Sequence, residues 1–238
     1  MLPEIILREE EDSSYPLLIL AGLVSVLVAF AVTKYFFPQN VSFLVVVAAA
    51  VPLIYPLMAY FLEVEKQDHL DKGIAAYLSI FVGQVMAFST LAYYFPDSFG
   101  YQIGEFQTVL GSMGITGYAT NPVSFMSIFS NNISIFFMIT IISLLVGSAG
   151  ALVLTWNASV MGAFFGILVK ETGLHMPFAY VPHATIEMTG FIIAGLVGTT
   201  ASASIYREHM SLKHWAGLLK LYFVGVFAIF AGAFIETV

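Results

Sequence analysis

Long apolar stretches, separated by short polar segments, dominate the chain. A bilayer core about 30 Å thick needs roughly 20 apolar residues in one helix. Seven stretches meet or approach that length: Leu17–Phe37, Ser42–Leu62, Ile74–Phe95, Ile133–Thr155, Ala158–Val169, Val181–Ala203 and Trp215–Ile235. The pattern predicts an all-α fold, a polytopic transmembrane helix bundle of about seven spans.

Two stretches depart from a simple crossing. Ala158–Val169 is the shortest of the seven. We still expect it to cross the membrane, because the basic loops described below require an odd number of crossings between residues 132 and 207. Ahead of the fourth stretch, Phe125–Phe136 carries an apolar face interrupted by serine and asparagine. This segment is expected to begin as an interfacial helix.

Composition excludes a soluble domain. Of the 238 residues, 59% are hydrophobic and 10% are charged, whereas soluble domains average about 45–50% and about 25%. A net charge of −7 provides no basic surface for nucleic acid. The chain has no cysteine and no P-loop, HExxH or dinucleotide-binding motif. We therefore expect the lipid bilayer as surroundings, no cofactor and no catalytic residues, which favours a non-enzymatic protein.

The positions of lysine and arginine predict the orientation, because basic residues in short loops mark the cytoplasmic side. Lys66 and Lys72 flank the loop after the second span, and Arg207 and Lys213 precede the last span. Residues 96–132 contain neither lysine nor arginine. The expected location is the cell membrane, with a cytoplasmic N-terminus and an extracytoplasmic C-terminus.

This topology divides the chain into four regions. Residues 1–16 form an acidic cytoplasmic tail, and 17–95 form a three-helix N-terminal transmembrane region. Residues 96–124 form an extracytoplasmic loop, and 125–238 form a four-helix transmembrane domain. Small residues four apart let helices approach closely in lipid. The last four spans are rich in such residues: Gly162, Gly166, Ala194, Gly198, Ala228 and Gly232.

Polar side chains at membrane depth are costly, so each is a candidate functional residue. Gln84 in the third span is expected to make an interhelical hydrogen bond. Lys34, near the end of the first span, is expected to extend its ammonium group to the membrane surface. Asn157 is a polar residue at the inner end of the fifth span.

A polar intramembrane cluster is predicted at the outer end of the spans. His183 and Glu187 lie four residues apart, on one face of the sixth span. The span directions bring Asn131, Asn132 and Glu236 to the same depth. An imidazole and two carboxylates could bind a divalent metal, with His183, Glu187 and Glu236 as candidate ligands. The same groups could relay protons or ions, act as acid and base, or form a hydrogen-bond network that only joins helices.

Five short motifs carry a family resemblance, and they occur in the second half of the chain: Phe125–Asn132, Trp156-Asn157-Ala158 with Met161-Gly162-Ala163, Pro182-His183-Ala184 with Ile186-Glu187, Ala194-Gly195 with Gly198, and Phe234-Ile235-Glu236. In this order and spacing they resemble the stage II sporulation protein M family over about residues 124–238. Ala158 and Ala184 stand where the family usually has glycine. The first three spans lie outside the motifs that carry the resemblance.

The resemblance implies a membrane scaffold that organises partners during envelope remodelling. Sporulating members of the family work in a membrane complex with cell-wall-degrading partners, although most members belong to organisms that do not sporulate. Other membrane or envelope proteins are therefore the expected partners, with homo-oligomers as a further possibility. Two alternatives remain open from the residues: a transporter subunit that uses the buried His and Glu as an ion or proton site, and an intramembrane metal-dependent enzyme.

Overall fold

The structure, a computed structural model, describes residues 15–67, 70–105, 125–173, 177–206 and 211–237. Within these ranges the chain forms two short 3-10 turns, no strand, and seven long helices: α1 (Tyr15–Phe36), α2 (Val41–Gln67), α3 (Leu70–Tyr94), α4 (Phe125–Val146), α5 (Ala151–Thr172), α6 (Pro177–Tyr206) and α7 (Leu212–Thr237). The predicted all-α bundle is confirmed. Most of the predicted tail and of the loop at 96–124 lies outside the described residues.

The helices have the length and composition of membrane spans. Six stretches of the described chain are long and apolar enough to cross a bilayer, and one of these, Phe125–Thr172, is 48 residues long and contains both α4 and α5. In lipid a helix is stable because all its backbone groups are hydrogen-bonded within the segment. The protein is therefore a multi-pass membrane protein.

A short turn at Gly147–Gly150 separates α4 from α5. Gly147 has a φ of +62°, in the left-handed region that side chains disfavour. Gly150 lies directly against Ser143 and Ile139 of α4. The chain therefore reverses direction at this turn, and α5 returns across the bundle beside other helices.

This turn corrects two predictions. The predicted spans Ile133–Thr155 and Ala158–Val169 have wrong boundaries, since α5 begins at Ala151 and has 22 residues, which is long enough to cross a bilayer. The separate interfacial helix at Phe125–Phe136 is also wrong, because this segment is the continuous first half of α4. Glycine, serine and alanine fit inside a membrane helix as well as in a turn, so the pattern of apolar residues does not mark the break.

The buried helix α6 lies at the centre of the bundle. Its apolar window is 78% buried, against 33% for α1 and 28% for α7. The helix α6 packs along α4 and α7, whereas α3 packs along α1 and α5. Helices from the predicted regions 17–95 and 125–238 are thus in extensive contact, and α1 and α7 turn apolar faces outwards to lipid.

The tightest crossing joins α1 to α3 through two glycines. A methyl group on Gly22 would collide with the backbone of Ile80, and one on Gly83 would stand 2.9 Å from the backbone nitrogen of Leu23. The sequence predicted close helix contacts through small residues mainly in the last four spans. The α1–α3 crossing was missed because each helix contributes a single glycine rather than a repeated pair.

The two basic connections lie at one end of the bundle. Tyr77, two turns from the start of α3, hydrogen-bonds at 3.1 Å to Thr199, two turns before the end of α6. The α2–α3 and α6–α7 connections are therefore on the same side, and Lys72 and Lys213 lie in the first turns of the helices that follow them. We call this side the basic end and the other side the far end.

Candidate functional site

Asn131 and Asn132 lie in the second turn of α4, near the far end. The side chain of Asn132 is only 9% exposed. Its oxygen accepts a hydrogen bond from Asn131 Nδ2 at 3.3 Å, and its own Nδ2 donates to Oε1 of Glu187 at 2.7 Å. The two amides thus form a directed chain of donors that ends on a carboxyl group of α6.

Glu187 lies between three helices. It is 8% exposed and hydrogen-bonds Asn132 of α4 from its position on α6. On the α7 side, Gly232 lies so close to Cγ of Glu187 that any side chain at residue 232 would occupy the same space. The glycine therefore makes room for the carboxyl group between α4 and α7. We call Asn131, Asn132 and Glu187 the Asn–Glu chain.

The remaining two members of the predicted cluster are placed by their backbone only. His183 lies one turn before Glu187 on α6, and Glu236 lies one turn after Gly232 on α7. Their side chains lie outside the described residues, so the contact between His183, Glu187 and Glu236, and the metal site built on them, stay predictions. Within the described ranges, no three His, Asp or Glu side chains form a group that could hold a metal ion.

Asn157 has a local role. Its Nδ2 donates to the carbonyl oxygen of Val153, four residues earlier on α5, at 2.8 Å. This hydrogen bond stays within one helix, and the side chain of Asn157 is half-buried. The structure therefore places Asn157 apart from the Asn–Glu chain.

A second buried polar group was missed by the sequence. Gln102 is fully buried, and its Nε2 donates to the backbone oxygen of Ser42 at 2.7 Å and to Oγ of Ser159 at 3.2 Å. The Ser42 hydroxyl in turn donates to Oε1 of Gln102. These bonds join α2, α5 and the segment after α3, which was predicted as an extracytoplasmic loop. The sequence signal for this packing is Phe99, an aromatic residue within the predicted loop, which the structure shows to be fully buried.

Lys34 has a specific partner beside this group. Its Nζ donates to Oγ of Ser98 at 2.9 Å, so the cation ties the end of α1 to the turn that follows α3. An open pocket of about 300 Å³ lies next to this contact, and Asp97 and Tyr101 are among its lining residues. Lys34 is exposed, and its position at the membrane surface stays a prediction.

Gln84 makes the interhelical hydrogen bond expected of it. Its Oε1 on α3 accepts from the hydroxyl of Thr155 on α5 at 3.2 Å. Both side chains are almost fully buried. The contact lies deep in the bundle, where an amide and a hydroxyl bind each other in place of water.

The predicted small residues lie at helix contacts of different kinds. A methyl group on Gly162 would stand 2.5 Å from Cβ of Phe88 on α3, and one on Gly166 would stand 3.1 Å from Cβ of Ala92. A methyl group on Gly198 would stand 2.7 Å from Cβ of Ser143 on α4. Ala194 is fully buried. Ala228 is partly exposed, and Gly232, four residues later on α7, contacts the side chain of Glu187.

The carboxyl group of the Asn–Glu chain can be hydrogen-bonded in either protonation state. Oε1 of Glu187 accepts a hydrogen bond from Asn132, and an oxygen can accept in both the protonated acid and the carboxylate. The geometry therefore fits a static link between α4 and α6 and also fits a group that exchanges a proton.

Comparison with known proteins identifies one family. Residues 73–238 match the family described as Stage II sporulation protein M. The match begins near the start of α3, whereas the motifs that carried the resemblance lie only in the second half of the chain. The family match therefore also includes α3, which packs along α5. No curated protein and no solved structure matches the chain. The match covers well over half of the sequence, and the chain therefore belongs to the stage II sporulation protein M family.

Proposed function

We propose that this protein is a non-enzymatic membrane scaffold, which organises other membrane or envelope proteins in a complex that remodels the cell envelope. The observation that carries the proposal is the use of buried polar side chains to join helices. Glu187 bonds Asn132 across α4 and α6, and Gln102 bonds Ser42 and Ser159 across α2 and α5. Such bonds hold the helices in one arrangement, which a platform for partner proteins requires.

Recovery of partners tests the scaffold. We expect that crosslinking in native membranes, followed by purification of the protein, recovers a defined set of membrane or envelope proteins. Glu187→Gln should leave this set unchanged, because the amide oxygen of glutamine can still accept the hydrogen bond from Asn132. Loss of partners from Glu187→Gln at unchanged folded yield, or no enrichment over an unrelated seven-helix protein, would count against the scaffold.

A proton- or ion-handling subunit is the second candidate function. The feature that favours it is a carboxyl group at 8% exposure, since ionisable groups inside a membrane span commonly mark proton or ion paths. Purified protein in liposomes distinguishes the two functions. Flux above that of empty vesicles, abolished by Glu187→Gln, would support the second candidate, whereas no flux supports the scaffold.

We propose that the basic end is cytoplasmic, with the N-terminus on that side and the C-terminus outside. The support is the placement of Lys72 and Lys213 at the same end of the bundle, together with the basic-residue rule. Single cysteines are suited to a test because the chain has none. We expect cysteines introduced beside Lys72 and Lys213 to react with an impermeant maleimide only from the cytoplasmic side. Labelling of the two positions from opposite sides would contradict this topology.

A further inference from the structure

A line of buried polar side chains runs inward from the basic end. Its members belong to α3, α6 and α7, and we call them the polar seam: Gln84, Tyr77, Thr199, Thr200, Ser204 and His214. Five of the six are no more than 3% exposed, His214 being the exception. None of them lies within the Asn–Glu chain, which occupies the far end.

Hydrogen bonds connect the outer part of the seam. Nε2 of His214 lies 2.8 Å from Oγ of Ser204, near the start of α7. The Ser204 hydroxyl donates to the backbone oxygen of Thr200 at 2.8 Å. Deeper in the bundle, Thr199 pairs with the hydroxyl of Tyr77 at 3.1 Å. Polar groups therefore follow α6 inwards for about two turns.

Some polar atoms beside this path lack a partner. Within the described part of the chain, Nε2 of Gln84, Oγ1 of Thr200 and Oγ of Ser143 are buried and form no hydrogen bond. Ser143 packs against Gly198, the neighbour of Thr199. A buried polar atom without a partner costs about 1–3 kcal/mol, and such atoms in proteins usually bond ordered water. Water is the smallest molecule that can both donate to and accept from these groups.

A small cavity lies at the inner end of the seam, beside Gln84. It measures about 10 Å³, and Gln84, Tyr77 and Thr155 are its polar lining residues. This volume is close to the smallest that holds one water molecule, and a bound water needs two to four polar partners. The 3-10 turn at Gly147–Gly150 leads directly into Ala151, which also lines the cavity.

We propose that the polar seam binds water molecules, from the connection between α6 and α7 to the cavity beside Gln84. The innermost water bonds Nε2 of Gln84. Waters nearer the basic end bond the hydroxyls of Thr200 and Ser204. The bundle is thus hydrated beside α6 from the basic end to mid-depth.

Silver ion tests the hydration, because it is close to water in size and binds thiolates. In a chain without cysteine, Ser204→Cys and Thr200→Cys place a thiol on the seam. Ala201→Cys places one on α6 outside the arc that carries Thr199, Thr200 and Ser204, because successive residues of a helix are rotated by about 100°. Ala201 follows Thr200 in sequence and is 6% exposed, so its depth matches that of Thr200. The readout is the thiol that remains free for a fluorescent maleimide after silver treatment, removal of excess silver and denaturation.

We expect the two seam cysteines to react at least about tenfold faster than Ala201→Cys, because thiols ionise poorly without water. Thr200→Cys should react faster than Ala201→Cys although Thr200 is the more deeply buried of the two. Equal rates at all three positions, or the fastest reaction at Ala201→Cys, would overturn the proposal. Each variant is compared at equal elution volume and folded yield. If Thr200→Cys fails that criterion, the pair Ser204→Cys and Ala201→Cys decides the outcome alone.

Discussion

Replacing Gly83 with alanine is expected to separate α1 from α3 and to remove most of the folded protein from detergent extracts. A methyl group at this position would collide with the carbonyl oxygen of Ile19 and stand 2.9 Å from the backbone nitrogen of Leu23. Backbone atoms cannot rotate away as a side chain can, so the whole of α1 must move. We expect a loss of about 3 kcal/mol or more, at the upper end of the effects of overpacking.

The matched control is Gly217→Ala on α7. A methyl group on Gly217 meets no atom within 4 Å, and alanine favours a helix over glycine. Thermal denaturation monitored by size-exclusion chromatography measures both variants. We expect Gly83→Ala to lower the melting temperature strongly or to eliminate the monodisperse peak, while Gly217→Ala leaves it unchanged or raises it slightly. Equal behaviour of the two variants would mean that α1 and α3 do not cross at Gly83.

Replacing Asn132 with leucine is expected to destabilise the bundle by about 2–3 kcal/mol, the range for loss of a hydrogen bond to a charged or buried carboxyl group. The change removes the amide that donates to Oε1 of Glu187 at 2.7 Å. The carboxyl group then remains buried without that donor. Unfolding in a graded mixture of mild detergent and sodium dodecyl sulfate measures the loss.

Two variants separate this effect from a general intolerance of substitution. Asn157→Leu removes an asparagine whose amide donates only within its own helix, and we expect a smaller loss, below about 1 kcal/mol. The double variant Asn132→Leu, Glu187→Leu should be more stable than Asn132→Leu alone, because replacing both polar partners avoids a buried group without a donor. Strictly additive losses in the double variant would show that Asn132 and Glu187 do not interact.

Much of the architecture was predictable from the sequence because lipid imposes a simple rule. A helix that crosses a bilayer must be long and apolar, and the apolar stretches identified all seven helices. Their directions, taken from Lys72 and Lys213, placed Asn132 and Glu187 at one depth, and the structure joins the two by a hydrogen bond. The interhelical hydrogen bond of Gln84 was predictable for the same reason, since a lone amide in lipid needs a partner.

Other features depended on which helices become neighbours. The turn at Gly147–Gly150 is invisible in the apolar pattern, and it is stable because Met58 and Ser143 pack around it. The burial of Gln102 required α2 and α5 to supply Ser42 and Ser159. Polar residues after a span are typical of a loop, whether or not that segment folds back onto the bundle.

The sequence by itself determined the helices, their approximate depth and the residue types that could join them. The tertiary structure alone decided the pairing of helices: α1 with α3 through single glycines, α3 with α5, and Glu187 against Gly232. The physical reason is the range of the interactions. Hydrophobic length and backbone hydrogen bonding act within one segment, whereas close packing depends on which surfaces meet, and that information is spread over residues far apart in the chain.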